Sequence, residues 1–549
     1  MNIFHKRPAI QLVTGTFQSA KFGRAARAAS AMLLAFAVVT LLGACASLPQ
    51  DYESPQSFVL ADTSQTSLAR QLAPQVAEHP QKSGFFPLIT GNDALVARAG
   101  VMQAAELTLD VQYYIWHPDT SGRLLVELLL QAADRGVRVR ILLDDLDTSG
   151  KDFGLVSMNA HPNIEIRLYN PFADRGFRAM SFLTDLRRVN RRMHNKSLTA
   201  DNQVTIVGGR NIGNEYFGGK SDTQFSDLDV LAVGPVVNEV SKAFDAYWNS
   251  AWVIPVSAFD DGATISDHDL DQARADLVQY LEEQKSSPYA EALRASRLLQ
   301  KATFADLDYS WGEASLLYDA PNKAEGTQVT AATHIGPHLL QVFDRAQQEL
   351  IVISPYFVPG KALVDYFGEL VDRGVRVRIL TNSLASSDVS MVHAGYMRYR
   401  TGLLKNGVEL YEFKPVVGAE EQKKQRSWTG SSKASLHAKL FGVDRQALFV
   451  GSFNLDPRSV LHNTEMGVLF ESPGLAGQLG DGFDNELLQK AYRVQFRYEP
   501  DDGDEKLARL EWVTEEDGSE IHYYKEPETS FLQRMSAGFL SIFVPESML

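Results

Sequence analysis

One nine-residue string occurs twice in this chain, and the repeat constrains the fold more than any other feature. Asp134-Arg-Gly-Val-Arg-Val-Arg-Ile-Leu142 recurs residue for residue from Asp372 to Leu380, an offset of 238. Each copy follows a strongly periodic helix (Leu124–Ala133; Ala362–Val371), and Gly136 or Gly374 supplies the helix stop before a β-branched strand. A strand precedes each helix (Leu107–Tyr114; Leu350–Tyr356), and another follows each repeat (Ile164–Tyr169; Val408–Tyr411). Strand, helix, strand, strand and a motif hairpin, in the same order twice, predict a duplicated α/β pair of half-domains: mixed β-sheets flanked by helices.

The motif hairpins carry the chemistry. His194-Asn-Lys196 is followed by Asp201, then Gly208-Gly-Arg-Asn211; His437-Ala-Lys439 is followed by Asp444, then Gly451-Ser-Phe-Asn454. A lone His-x-Lys is uninformative, but two copies with identical trailing spacing are hard to obtain by chance. Residues i and i+2 of an extended strand share a face, so His and Lys project together in each half. Each Asp falls at a turn before an apolar strand (Val204–Val207; Ala447–Val450), where Asp and Asn bond nearby backbone. His194, Lys196, Asp201, His437, Lys439 and Asp444 are therefore the candidate catalytic set, with the two aspartates better explained as holders of the hairpins.

If a pseudo-twofold joins the hairpins, two imidazoles, two ammonium groups and the amides of Asn211 and Asn454 share one pocket. Lysines and amides suit the nonbridging oxygens of a phosphodiester as phosphorus becomes five-coordinate. One neutral imidazole attacks while the other, protonated, gives its proton to the leaving alkoxide. An unperturbed histidine pKa near 6.5 allows both states near neutrality. A nucleophilic histidine also needs a partner on its other nitrogen; Asp229 and Glu465, beyond the glycine turns, are the candidate orienters. The run Arg187-Arg-Val-Asn-Arg-Arg192 places four cations beside His194, either to attract an anionic headgroup or as a solvated face. Tyr113, Tyr114, Trp116, Tyr356 and Phe357 end corresponding strands, as pocket mouth or as core. A Gly-rich phosphate loop ending in Lys-Ser/Thr, a His-Glu-x-x-His string and a cysteine metal set are all absent, so the chemistry is expected to need no metal and no cofactor.

Composition bounds the partners. The formal charge is −15. Residues 1–44 hold Lys6, Arg7, Lys21, Arg24 and Arg27 and no acid, which leaves a body near −20. That charge disfavours nucleic acid, whose binding runs on phosphate neutralisation. The single cysteine, Cys45, ends the apolar run Ala31–Ala44, so no internal disulfide can form. Basic residues, an apolar stretch and small residues form an export signal, and Leu42-Gly-Ala-Cys45 resembles a bacterial lipobox, with Cys45 as the lipidation site. An uncleaved membrane anchor is the alternative.

The expected organisation is a signal over 1–44, a flexible tether over 45–85 with a short helix around Leu68–Val76, and a first half over 86–261. A helical insertion packed on the outside over 262–328, a second half over 329–474 and an extension over 475–549 follow. The extension holds an acidic run (Glu499–Glu505) and a stretch, Phe531–Val544, that reads as an interfacial amphipathic helix or as a helix docked on the core.

At these residues the chain resembles the phospholipase D superfamily, whose signature is the doubled His-x-Lys-x4-Asp followed by Gly-(Gly/Ser)-x-Asn. It is most similar to the cardiolipin synthase branch often called the C type, through Arg191-Arg-Met-His-Asn-Lys-Ser197, Gly208-Gly-Arg-Asn-Ile-Gly213, Asn382-Ser-Leu-Ala385, Val392-His-Ala-Gly-Tyr396 and Gly451–Ser459. The resemblance implies two phospholipase D-like half-domains forming one pseudo-twofold active site. It also implies His194 as nucleophile, His437 as acid and then base, and Asp229 and Glu465 at the histidines. It further implies a membrane-tethered phosphatidyltransferase that makes cardiolipin from phosphatidylglycerol, with phosphatidylethanolamine as a further donor. Alternatives are a phospholipase D releasing phosphatidic acid, a nuclease or other phosphodiesterase, and a non-catalytic lipid-binding lipoprotein. The expected place is the bacterial envelope, facing the periplasm. Ala46 and Ser47 lack the Asp that commonly retains lipoproteins at the inner membrane, which points outward and leaves room for the phospholipase.

Overall fold

The computed structural model describes residues 47–176, 178–219, 221, 223–259, 266–326, 328–415, 433–497 and 509–543. Cys45, the export stretch and the acidic run lie outside the described residues. The chain divides into two units. In one, Met1–Leu48 with Phe172–Leu186, a helix spans Arg178–Thr184 and the rings of Phe172 and Phe182 lie 5.6 Å apart. The other, Pro49–Pro171 with Arg187–Leu549, carries everything that follows.

Among its described residues are two large mixed sheets. The first orders its nine strands as Ser310–Gly312, Ser83–Leu88, Asp229–Val233, Val204–Gly208, Ser197–Ala200, Thr108–Tyr113, Arg138–Asp144, Ile164–Tyr169, Val253–Pro255. The second orders ten as Ala314–Tyr318, Met466–Glu471, Ala447–Gly451, Lys439–Val443, Glu349–Ile353, Arg376–Asn382, Glu409–Phe413, Ala491–Arg497, Arg509–Glu516, Ser519–Tyr523. In each, the three parallel strands are those around the repeated string, and the motif hairpin joins them antiparallel. The expected duplication is thus two superposable topologies.

Strand alternation explains why the sheets stack. Val207, Val230 and Ala232 face a shared core with Ile351, Leu440, Val450 and Val468, while Ile206, Leu231, Phe441 and Phe449 turn to helix-covered cores on the outer faces. Phe85 and Phe470 stack at 4.0 Å across the shared core. The repeated helices run over Thr120–Asp134 and Gly360–Asp372. Gly136 (φ +91°) and Gly374 (φ +90°) end them in the left-handed region that closes a helix end.

Three expected boundaries shift. Residues 55–59 are not a free tether: the Pro55 and Ser57 carbonyls accept from the buried Arg167 (2.7 Å) and Arg140 (2.8 Å), and Val59 N–H donates to Asp245 at 2.8 Å. Buried guanidinium donors demand acceptors, and this extended segment supplies them. Its helix spans Ser67–Glu78. The insertion is helical over Asp267–Gln284 and Pro288–Arg294, but Ser310–Gly312 and Ala314–Tyr318 add an edge strand to each sheet. The extension likewise lengthens the second sheet by three strands before its helix at Phe531–Phe543. Short edge strands carry too little periodicity to be read alone.

Candidate active site

Each motif hairpin is closed by a three-residue loop whose first two residues are at positive φ: Asp201 (51°) and Asn202 (52°), Asp444 (50°) and Arg445 (56°). Each aspartate then clamps the start of the neighbouring central strand. Asp201 accepts from the backbone N–H groups of Glu106 (2.9 Å), Leu107 (2.7 Å) and Thr108 (2.8 Å). Asp444 accepts from Gln347, Gln348 and Glu349 at 2.9, 2.7 and 2.8 Å. Both carboxylates sit at the far end of the strand from the histidine. The bonds they make are those of the hairpin holders the sequence suggests, and neither reaches a motif histidine.

The histidine ends of the two hairpins cross into each other's half. His194 N–H donates to the Thr464 carbonyl, and His437 N–H to the Ser226 carbonyl, each at 2.8 Å. Thr464 and Ser226 each precede a carboxylate. Consequently His194 Nδ1 lies 2.8 Å from Glu465 Oε2, and His437 Nδ1 lies 2.6 Å from Asp227 Oδ2. The strand Lys433–Leu436, leading into His437, pairs in parallel with Thr223–Ser226 of the first half. Neither half has a complete dyad alone.

Glu465 is where the sequence predicts it; Asp229 is not. Asp229 is buried and bound by Arg98 (2.9 Å) and Arg210 (3.3 Å), so its charge is spent on the scaffold. The register shows the offset. Gly208 pairs with Asp229 and Gly451 with Gly467, so the residue matching Glu465 stands two before Asp229, at Asp227. The turns are fitted to their acids. A Cβ on Gly209 would stand 2.2 Å from Asp227 Oδ1. At the matching position Ser452 donates its hydroxyl to Glu465 at 2.5 Å, as does Ser459 at 2.8 Å.

Electrostatics separates the two dyads. All four motif bases are buried. Burial, then Lys196, Lys439 and His437, push the His194 pKa well below its ordinary value, so it rests neutral. His437 is lowered less strongly, by burial and Lys439, against which Asp227 pulls it up. Burial raises Glu465 to about 7, whereas for Asp227 the cations His437, Lys439 and Arg210 overcome burial and hold it low. His437 therefore has beside it an ionised carboxylate that opposes the lowering and favours its protonated form more than His194's is favoured, whereas His194 faces a carboxyl that ionises near neutrality. Burial also brings Lys439 down to about 8 and Lys196 well below its usual range.

Lys439 Nζ lies 2.9 and 3.1 Å from the two ring nitrogens of His437, and Lys196 Nζ lies over the Tyr114 ring at 5.4 Å. Asn211 is held by Tyr216 (2.9 Å) and Ile115 N–H. Asn454 Oδ1 is buried with no hydrogen-bond partner among the described residues, and its Nδ2 is the donor a phosphate oxygen would use. Tyr114 packs edge-on to His194 at 5.0 Å, and Tyr216, Phe225 and Tyr356 surround His437. Tyr113 and Phe357 are core. Three of the four arginines of the run turn to the protein's own acceptors, and only Arg187 is exposed. Arg192 is buried on Asp144 (3.1 Å), Arg191 is buried and bonds the Lys323 carbonyl, and Arg188 bonds Asn170 and Pro171. Long side chains so placed satisfy loop carbonyls instead. A group able to ligate a metal among the described residues, His117, Asp119 and Glu215, lies outside the histidine pair and is engaged in helix capping and its own ion pair.

The family model described as cardiolipin synthase, PLD-like domain matches residues 100–248 and again 339–487, which brackets both dyads. The chain belongs to the phospholipase D superfamily. It is 42% identical to "Cardiolipin synthase C" of Escherichia coli (strain K12), covering 88% of this chain and 99% of that one. It is 24% identical to a cardiolipin synthase of Staphylococcus aureus (strain N315), over 75% of this chain and 70% of the other. Among solved structures, phosphatidylserine synthase of Haemophilus influenzae Rd KW20 matches with a TM-score of 0.50 at 13% identity, covering 78% of this chain and 92% of that one. That likeness concerns the fold. As an enzyme of this superfamily the chain carries both signature copies intact.

Proposed function

We propose that the chain is a phosphatidyltransferase that makes cardiolipin through a phosphohistidine. The observation that carries this reading is the crossed pair of histidine–carboxylate dyads in one buried, lysine-lined pocket; the E. coli relative named cardiolipin synthase C supports the product. His194, neutral and tied at Nδ1, attacks the donor phosphorus through Nε2. The bond to the leaving alcohol breaks, and the imidazolium of His437 gives that alkoxide its proton. Glu465 offsets the positive charge that the phosphorylated imidazole acquires. A hydroxyl of phosphatidylglycerol then loses its proton to His437 and attacks phosphorus, breaking the P–N bond and restoring His194. Lys196, Lys439, Asn211 and Asn454 hold the nonbridging oxygens throughout.

The protein is proposed to work at a membrane of the bacterial envelope, on its periplasmic side. No helix among the described residues is long and apolar enough to cross a bilayer. The helix Phe531–Phe543 buries Ala537 against the body while Phe531, Leu532, Met535 and Phe539 stand exposed along its other side, a face suited to lie in a lipid interface. Lipidation at Cys45 would supply the second attachment; Cys45→Ser is expected to lose lipid label and membrane retention, and retained label would refute it.

The function is tested by incubating purified protein with labelled phosphatidylglycerol, with and without phosphatidylethanolamine. Labelled cardiolipin is expected. Phosphatidic acid as sole product would make the enzyme a phospholipase, and no lipid turnover would defeat the reading altogether.

A further inference from the structure

A cavity of about 660 Å³ opens beside the site, between helices Thr120–Asp134 and Asp152–Asn159 and the insertion helix Asp267–Gln284. We propose that it holds one acyl chain of the donor phospholipid while His194 attacks the phosphorus. The inference rests on the phosphatidyl-transfer reading above, and it gives the insertion a task.

Three observations carry it. The walls are hydrocarbon, from Leu129, Leu130 and Met158 on one side to Leu270, Ala273 and Leu277 on the other, at a size usual for ligand pockets. The inner end is Tyr114, whose ring also packs against His194 at 5.0 Å and under Lys196 at 5.4 Å, so a single side chain stands between the cavity and the reaction site. The third wall is built to stay. Leu270, Ala273 and Leu277 recur on one helix face. That helix is fastened by Arg274 to Asp134 and by Tyr280 to Thr120 at 2.8 Å, with Arg123 over the Tyr280 ring at 4.3 Å. At the mouth Phe153 is 56% exposed. The lining also holds Asp147, Lys151 and His161, but its greater part is aliphatic and aromatic, which suits an acyl chain better than a soluble headgroup.

The full chain is to be bound to vesicles of phosphatidylglycerol bearing a diazirine at the acyl terminus, irradiated, and mapped by peptide mass spectrometry. Adducts are expected on the wall peptides holding Met158 and Leu277. They should persist in the turnover-dead His194→Ala protein and fall about fivefold or more in Ala273→Trp, which fills the cavity. In turnover, Ala273→Trp should cut the preference for 16-carbon over 8-carbon donors by about tenfold or more, since each buried methylene contributes several-fold. Adducts absent from both wall peptides of the unsubstituted chain, or confined to Phe531–Phe543, would overturn the inference. Because labelling needs no turnover, its failure and the failure of lipid transfer are separate results.

Discussion

His437 and Asp227 belong to different halves of the duplicated fold, and their side chains meet at 2.6 Å. His194 and Glu465 make the reciprocal crossing at 2.8 Å. Each half therefore lends the other the group that fixes its imidazole. A single half would hold a histidine without an orienter, so the active unit is the pair, and the segments laid across between halves are as much a part of the machinery as the motifs.

The neighbouring acids Asp227 and Asp229 should separate function from folding. Asp227→Asn supplies the wrong partner to His437 Nδ1, so turnover should fall by about 10²–10⁴-fold, with a stability loss smaller than that of Asp229→Asn. Asp229→Asn strands the buried cations Arg98 and Arg210 and should cost about 3–5 kcal/mol of stability. Denaturant melts and lipid turnover on both variants check this; equal stability loss in the two would refute the division.

The two histidines should differ toward leaving groups. His437→Ala lacks the proton donor, so it should fail on natural donors yet recover at least about 10²-fold in the first-turnover release from a phosphatidyl p-nitrophenol, whose leaving group needs no proton, while the second step still lacks its base. His194→Ala lacks the nucleophile and should recover on neither. Release of p-nitrophenolate by stopped assay reads the difference, and recovery in His194→Ala would reverse the roles.

Much of this was legible in the sequence because local physics dictates it. The strand Ile164–Tyr169 and the glycine stops at Gly136 and Gly374 follow from periodicity and backbone sterics, and they stand where expected. The turn role of Asp201 and Asp444 follows from the preference of Asp for such positions. The choice between Asp227 and Asp229 does not, because it depends on which residue pairs with Gly208, a register set by tertiary packing. A count from Gly467, opposite Gly451, would have reached Asp227. Arg191 and Arg192 misled for a related reason: a run of charge reads as surface, but these two turn inward to loop carbonyls and Asp144.

Lys439 should set an alkaline limit on activity. Burial lowers its pKa to about 8. Its ammonium form holds phosphate and prevails below that pH, so kcat/KM should fall as pH rises through about 8. Lys439→Arg keeps its charge at all accessible pH. That variant should be slower overall but lack the limb near pH 8, and a pH profile retaining it would assign the limb to another group.

Asp201→Ala should act on the fold. It removes the acceptor for three backbone N–H groups at the strand start, and a cost of about 3 kcal/mol or more is expected from those lost bonds. Turnover per folded molecule, measured well below the melting transition, should stay within about threefold of the parent. A larger loss in the folded protein would keep Asp201 in the catalytic set.

Gly209→Ala tests how closely backbone and dyad are fitted. The added Cβ would stand 2.2 Å from Asp227 Oδ1, so either the turn or the carboxylate must move. The turn is held by Gly209 N–H on the Leu228 carbonyl and by Arg210 on Asp229, which leaves the carboxylate to yield. His437 then loses its orienter, and turnover should drop by about 10²-fold or more, close to the effect of Asp227→Asn. The double variant should be little worse than either single one, because both changes break the same contact. Losses that multiply would mean that Gly209 serves the site by some route other than Asp227.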